Sequence, residues 1–92
     1  MGLMYRCASG SVTLRNTERV LFDASGGPLV ATLPARAFAG HTVQIKSGYA
    51  CSAVNTVTVA RNGKTIMGAA QDLVLEAPVE LTLVYDGLTW RY

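Results

Sequence analysis

The fold class is decided by the closing stretch of the chain, which reads ELTLVYDGLTWRY over residues 80–92. Apolar and polar side chains alternate along residues 80–85, and the pair Asp86-Gly87 that follows is a preferred tight turn. The alternation resumes after the turn and predicts a β-hairpin in which Trp90 and Tyr92 both face inward. The pair Asn62-Gly63 predicts another tight turn, because both residues tolerate the positive φ of a type I′ turn.

Short alternating segments recur along the rest of the chain. The clearest are residues 42–46 and 56–59, and shorter ones lie at residues 11–14, 19–22, 29–33 and 72–75. About six to eight short strands with regularly spaced turns predict an all-β fold, either a small antiparallel β-sandwich or a jelly-roll-like barrel. The only helical signal is residues 35–39, which could form a single turn that ends at Gly40 in a left-handed conformation.

Length and composition predict one domain that associates with a partner. We expect residues 10–92 to form a single β-sandwich domain and residues 1–9 to form an N-terminal arm or its first strand. Half of the 92 residues are hydrophobic and only 15% are charged, whereas about 25% are charged in typical soluble domains. A chain of this length has little interior for so much apolar surface, so we predict a homo-oligomer.

The charge pattern argues against nucleic acid and membrane partners. The net charge of +2 comes from eight basic and six acidic residues that are scattered singly, without a basic run that could follow a phosphate backbone. No apolar stretch approaches the roughly eighteen residues of a membrane span, and the N-terminus lacks the pattern of a signal peptide. We expect a protein that stays in the cytoplasm until it is assembled into a larger structure.

No group of residues supplies a reaction mechanism, so the sequence predicts a protein that is not an enzyme. His41 is the sole histidine and has no nucleophile or carboxylate at a motif spacing. The aspartates lie in separate turns, unlike those of a calcium loop, and the glutamates do not form the pair that glycoside hydrolysis needs. A disulfide between Cys7 and Cys51 is possible, but a cytoplasmic origin favours two buried or half-buried thiols. We expect no metal and no cofactor.

The order of five motifs resembles a β-domain that recurs in virion proteins of tailed bacteriophages. That domain has a strand ending in Leu-Pro, a Val-x-Ile-Lys strand, a Thr-Val-Thr-Val strand, a Thr-Ile-x-Gly-Ala turn and a Leu-Val-x-Asp-Gly-x-x-Trp hairpin. The matching stretches here are Leu33-Pro34, Val43-Gln44-Ile45-Lys46, Thr56-Val57-Thr58-Val59, Thr65-Ile66-Met67-Gly68-Ala69 and Leu83-Val84-Tyr85-Asp86-Gly87-Leu88-Thr89-Trp90. The resemblance covers nearly all of residues 20–92, and its specificity comes from the order of the motifs. Met67 departs from the pattern, which usually has a small or polar turn residue there.

The resemblance implies a structural role in the phage virion, usually as a trimer. Because the unit here begins at a methionine with nothing attached, we expect a head decoration (cement) protein that binds the assembled capsid as a trimer and stabilises it. Its partner would be the major capsid protein. The alternative is a tail-fibre, spike or baseplate module for host-surface attachment, which would bind a host-surface glycan through Tyr49 and the loop at residues 23–28.

Four residues are candidate partner or capsid contacts. Leu3, Met4 and Tyr5 make the N-terminal arm apolar enough to pack on a neighbouring subunit, for example by adding a strand to the edge of its sheet. A strand of the domain's own sheet, or a frayed end, is the other possibility for this arm. Tyr49 lies in a segment of small residues, 47–55, which we expect to be a solvent-facing loop.

Four further residues are expected to serve structure rather than chemistry. Gly63, Gly87 and Asp86 lie at predicted turns, where glycine supplies positive φ and aspartate bonds to nearby backbone groups. Trp90 is expected to pack in the core or between subunits, and an exposed platform for a sugar ring is the alternative.

Overall fold

The computed structural model describes residues 5–92, and nearly all of its regular structure is β. One 3-10 turn, Ala24–Gly26, interrupts the strands, and no helix in the described part is long and apolar enough to cross a membrane. The strands are β1 Arg6–Ala8, β2 Val12–Thr13, β3 Arg19–Phe22, β4 Leu29–Thr32, β5 Thr42–Lys46, β6 Val57–Ala60, β7 Leu73–Leu75, β8 Glu80–Tyr85 and β9 Trp90–Arg91.

These strands form two mixed sheets. The first, which we call sheet A, has five strands in the order β1-β3-β5-β8-β9, and the second, sheet B, has four in the order β2-β4-β6-β7. In sheet A, β1, β3 and β5 run parallel, and β8 and β9 continue the sheet antiparallel. In sheet B, β2, β4 and β6 run parallel and β7 is antiparallel to β6.

The prediction of an antiparallel fold is therefore wrong for the first two thirds of the chain. From β1 to β6 the chain alternates between the two sheets, so each crossover between parallel neighbours contains a strand of the other sheet. Parallel strands need such a long connection, which is usually a helix; here it is a strand, as in a β-helix. Alternation of apolar and polar residues has period two in either orientation, so the sequence pattern did not distinguish them.

One hydrophobic core contains the inward residues of both sheets. Alternate residues of β3 and β5 are buried in sheet A, as are those of β4 and β6 in sheet B. Trp90 is fully buried and packs beside Tyr85, with 5.3 Å between the ring centroids. The domain is flat, with extents of 35, 34 and 17 Å, so its surface is dominated by two broad sides.

Three tight turns shape the second half of the chain; two were predicted from their residue pairs and the third was implied by the resemblance. Asn62 and Gly63 both have positive φ, 51° and 84°, as a type I′ turn requires. Asp86-Gly87 opens the turn of the closing hairpin between β8 and β9. The third turn is the one that the resemblance implies at residues 65–69, and Met67, where the phage pattern has a small or polar residue, adopts a φ of 52° there. It lies between Ile66 and Ala69, which exchange two backbone hydrogen bonds.

Several other expectations need correction. The strand count is nine rather than six to eight, because residues 6–8 form β1, in line with the first strand that was one of the two possibilities for residues 1–9. Residues 35–39 form no helical turn. The 3-10 turn lies instead at Ala24–Gly26, where the side chain of Asp23 accepts a hydrogen bond from the Ser25 amide. Tyr92 is 63% exposed rather than inward, because β9 ends one residue earlier.

The two cysteines match the expectation in part. Both are free thiols, and Cys51 is buried, where its Sγ donates to the carbonyl oxygen of Leu75 at 3.1 Å. Cys7 is exposed, because it lies on the edge strand β1 with its side chain on the outer face. The segment 47–55 is therefore only partly solvent-facing, since Ser47 and Cys51 are buried within it while Tyr49 is exposed.

Candidate interaction surface

The outer face of sheet A brings together residues from four strands in one row. The strand registers align Cys7 with Leu21, Leu21 with Lys46, and Lys46 with Glu80. Residues that are paired across neighbouring strands point to the same face. This row therefore crosses the sheet from β1 to β8 and carries both apolar and charged side chains.

A shallow groove of about 300 Å³ opens at this row, and we call it the Tyr49 groove. Tyr49 itself is 86% exposed, which is unusual for a large aromatic side chain. Aliphatic surface and one ion pair make up the rest of the lining. Its members are Leu21, Lys46, Gly48, Tyr49, Pro78, Val79 and Glu80.

Lys46 is the polar centre of the groove. Its Nζ lies 3.7 Å from a carboxylate oxygen of Glu80 and 4.7 Å from the ring centroid of Tyr5. An exposed ion pair contributes about 0–1 kcal/mol, and a cation–π contact at such a site about 0.5–1 kcal/mol. The two contacts orient the Lys46 side chain without occupying the groove, so its aliphatic walls stay open to a partner.

Hydrogen bonds of Ser47 fix one wall of the groove. Its Oγ accepts from the Val79 amide at 2.8 Å and donates to the Ala77 carbonyl at 2.7 Å. Its own amide donates to the Val79 carbonyl at 3.0 Å. Ser47 is fully buried, so these bonds are shielded from water and hold the corner at residues 77–79 against the end of β5.

Close approach of two backbone segments fixes the other wall. Gly48 has a φ of 88°, and a Cβ at this position would overlap the carbonyl oxygen of Phe22. Glycine is required here both for the dihedral and for the space. Ser47 and Gly48 were not identified from the sequence; the available signal was the Ser-Gly pair that follows the strand at residues 42–46.

The structure brings together two of the four predicted contact residues. Tyr5 and Tyr49 are far apart in sequence, yet Tyr5 contacts Lys46 and Tyr49 lines the same groove as Lys46. Leu3 and Met4 lie outside the described residues.

The predicted turn and packing residues lie elsewhere. Asp86 Oδ1 accepts from the amides of Thr89 and Leu88, each at 2.9 Å. These two bonds, that to Thr89 first, lower the pKa of the Asp86 carboxyl. Gly87 has a φ of 98° and Gly63 one of 84°. Trp90 lies in the core, so it offers no platform to a ligand.

The arrangement of the groove suits binding rather than bond chemistry. An exposed phenol, aliphatic surface and one Lys–Glu pair can hold an apolar side chain flanked by charged or polar groups. Within residues 5–92, no three of His, Cys, Asp and Glu are grouped as metal ligands would be. His41 is away from the groove, and its Nδ1 accepts a hydrogen bond from the Phe38 amide at 3.1 Å.

Comparison with protein-family models gives no match for the chain, and neither does comparison with the curated proteins.

Proposed function

We propose that this chain is a structural protein of the bacteriophage virion, a head decoration protein that binds the assembled capsid as a trimer and stabilises it. The order of the five sequence motifs supports this role. In this proposal the two sheets, which share one core, pack face to face as a β-sandwich. The partner is the major capsid protein, and the role involves no catalysis, cofactor, nucleic acid or membrane.

The Tyr49 groove is the observation that carries the proposal. A side chain as large as Tyr49, 86% exposed on a backbone that Ser47 and Gly48 hold in place, is suited to insert into a partner. Tyrosine is enriched among the residues that dominate interface energies. Because the backbone is already fixed, little conformational entropy is lost on binding.

Stabilisation of the shell would follow from mass action. A protein that binds only the assembled shell lowers its free energy by RT ln(1 + [L]/Kd) at each site, about 2.7 kcal/mol when the free protein is at about 100 times Kd. The effect is repeated at each occupied site, so modest affinity suffices. A trimer would add avidity if its copies contact neighbouring capsomers at once.

A tail-fibre, spike or baseplate module is the second candidate. Tyr49 also favours it, because an exposed aromatic ring beside paired charged groups can stack on a sugar ring and bond to its hydroxyls. Here the ligand would be a host-surface glycan. The loop at residues 23–28, the other predicted contact of this alternative, does not line the groove.

The copy number of the chain in purified virions separates the two candidates. Quantitative mass spectrometry would give the ratio of this chain to the major capsid protein. Decoration predicts a ratio near that of the shell subunits. A few copies per particle would assign the chain to the tail, and its absence from the particle would refute a virion role.

Binding to shells then tests the groove. Tyr49→Ala should weaken binding to purified assembled capsids by about tenfold or more, because alanine substitution of such residues costs more than about 1–2 kcal/mol. Tyr92→Ala is the matched control, since Tyr92 is also exposed (63%) but does not line the groove. Equal binding of both variants in a co-sedimentation assay would contradict the assignment of the groove.

A further inference from the structure

Sheet B carries no charged residue in any of its four strands, and this distinguishes it from sheet A. The strands of sheet A contain charged residues at Arg6, Arg19, Lys46, Glu80 and Arg91, whereas β2, β4, β6 and β7 contain none. Both sheets have the same alternation of buried and outward positions. The difference is therefore one of surface chemistry and not of fold.

The outward side chains of sheet B form a small, uncharged surface that we call the sheet B face. The register aligns Val30 with Thr58 and Thr58 with Val74 in one row. A second row beside it aligns Thr13 with Thr32 and Thr32 with Ala60. Val30 is 39% exposed and Val74 is 48% exposed. The face consists of Thr13, Val30, Thr32, Thr58, Ala60 and Val74.

We propose that the sheet B face is the surface through which copies of this chain associate. The proposal rests on the homo-oligomer included in the proposed function and states where its subunits meet. A solvated sheet face normally carries charged side chains, which keep it soluble and prevent unwanted pairing. Their absence from one complete sheet is expected where that sheet is covered.

Charge favours a second copy of the chain as the occupant. When copies associate through the same patch, its side chains lie close to their own equivalents. The outer face of sheet A carries three basic and three acidic side chains, because Glu18 lies beside Arg19 and Asp86 beside Arg91, so packing this face on itself would bury charges of both signs. The sheet B face has no charge and can pack on itself without this cost.

The dimensions of the domain permit a stable interface on this side. Its broad sides measure about 35 by 34 Å, which is a projected area of roughly 1,200 Å², and a standard protein interface buries about 800 Å² per partner. The six residues of the face cover only the centre of that area. They would form the uncharged centre of the interface, with the surrounding loops as its polar rim.

A matched pair of charge substitutions tests this inference. Val30→Glu places a carboxylate on the sheet B face, and Val84→Glu places one on the outer face of sheet A. Both valines are 39% exposed and lie within strands, so the two variants should fold equally well as single chains. Val30→Thr is a further control, because threonine already occupies three positions of the face.

Sedimentation equilibrium on the full chain gives the readout. The wild type, Val84→Glu and Val30→Thr should be oligomers of the 9.8 kDa chain, and Val30→Glu should raise the dissociation constant by about 100-fold or more, because it buries unpaired charge. Circular dichroism confirms that Val30→Glu is folded. A folded Val30→Glu that associates like the wild type would overturn the inference, as would a wild type that is monomeric at all concentrations.

The test distinguishes failure of this interface from failure of the proposed virion role. An oligomer that Val30→Glu dissociates, but which does not bind capsids, would support the interface and contradict the decoration function. A monomeric wild type that binds capsids in shell-like copy number would contradict the interface and the trimer, and would support capsid decoration.

Discussion

Gly48 is the backbone position where a single methyl group should be most damaging. It has a φ of 88°, and an added Cβ would overlap the carbonyl oxygen of Phe22 and lie 3.2 Å from its carbonyl carbon. Gly63 provides a matched control, because its φ is 84° and an added Cβ there meets nothing within 4 Å. The two alanine variants share the dihedral cost and differ only in the steric one.

The expected magnitudes follow from these two terms. A left-handed backbone costs alanine about 1–2 kcal/mol, so Gly63→Ala should lower the free energy of unfolding by about that amount. Gly48→Ala should lower the free energy of unfolding by about 1–3 kcal/mol more, as overpacking does, because two backbone segments must separate. At about 4–8 °C per kcal/mol for a domain of this size, the Tm of Gly48→Ala should lie at least about 4 °C below that of Gly63→Ala.

Trp90 provides the assay. It is the only tryptophan and is fully buried, so its fluorescence should report unfolding in urea and on heating. All variants should be compared at one protein concentration, because association changes apparent stability. Equal destabilisation by the two substitutions would show that Gly48 does not closely approach Phe22. The inference that this approach fixes one wall of the Tyr49 groove would then be wrong.

Three further predictions concern the core, the thiols and the stability of the protein at acid pH. Leu83→Ala should cost about 2–5 kcal/mol because Leu83 is fully buried, whereas Leu88→Ala, at an 85% exposed position, should leave urea unfolding nearly unchanged. Iodoacetamide should modify Cys7 in the native protein and Cys51 only after unfolding, which peptide mass mapping would check; fast native labelling of Cys51 would contradict its burial. The pKa of Asp86 is lowered by backbone hydrogen bonds, so its contribution to stability is complete above about pH 4 and is lost as the pH falls further. Asp86→Asn should therefore make the decrease in Tm below about pH 4 less steep than in the wild type. An unchanged pH dependence of Tm in this range would argue against the contribution of Asp86.

Local features of the fold could be predicted from the sequence because they depend on neighbouring residues. Strands at residues 42–46 and 80–85 follow from the period of apolar side chains, and the turns at Asn62-Gly63 and Asp86-Gly87 follow from the dihedrals that these pairs tolerate. Burial of Trp90 follows from the same alternation. Tyr92 broke that pattern only because the last strand ends before it.

The pairing of the strands could not be predicted, because it depends on contacts between distant residues. Val20 pairs with Ile45 and Leu29 with Val57, and nothing in either local pattern specifies a partner or an orientation. The site was missed for the same reason. Tyr49 was identified as an exposed aromatic residue, but the groove also needs Lys46 and the corner at residues 77–79, which only the pairing of β5 with β8 brings together.

The parallel crossovers explain how two surfaces of different chemistry arise from one short chain. In a sheet built from hairpins, strands that follow each other in sequence lie side by side and share a face. Here β3, β4 and β5 are consecutive, yet β4 belongs to sheet B while β3 and β5 are neighbours in sheet A. Charges in β3 and β5, such as Arg19 and Lys46, therefore reach only sheet A, and β4 can stay uncharged between them. A substitution at Val30 can then change self-association without altering the Tyr49 groove, since no residue of sheet B lines that groove.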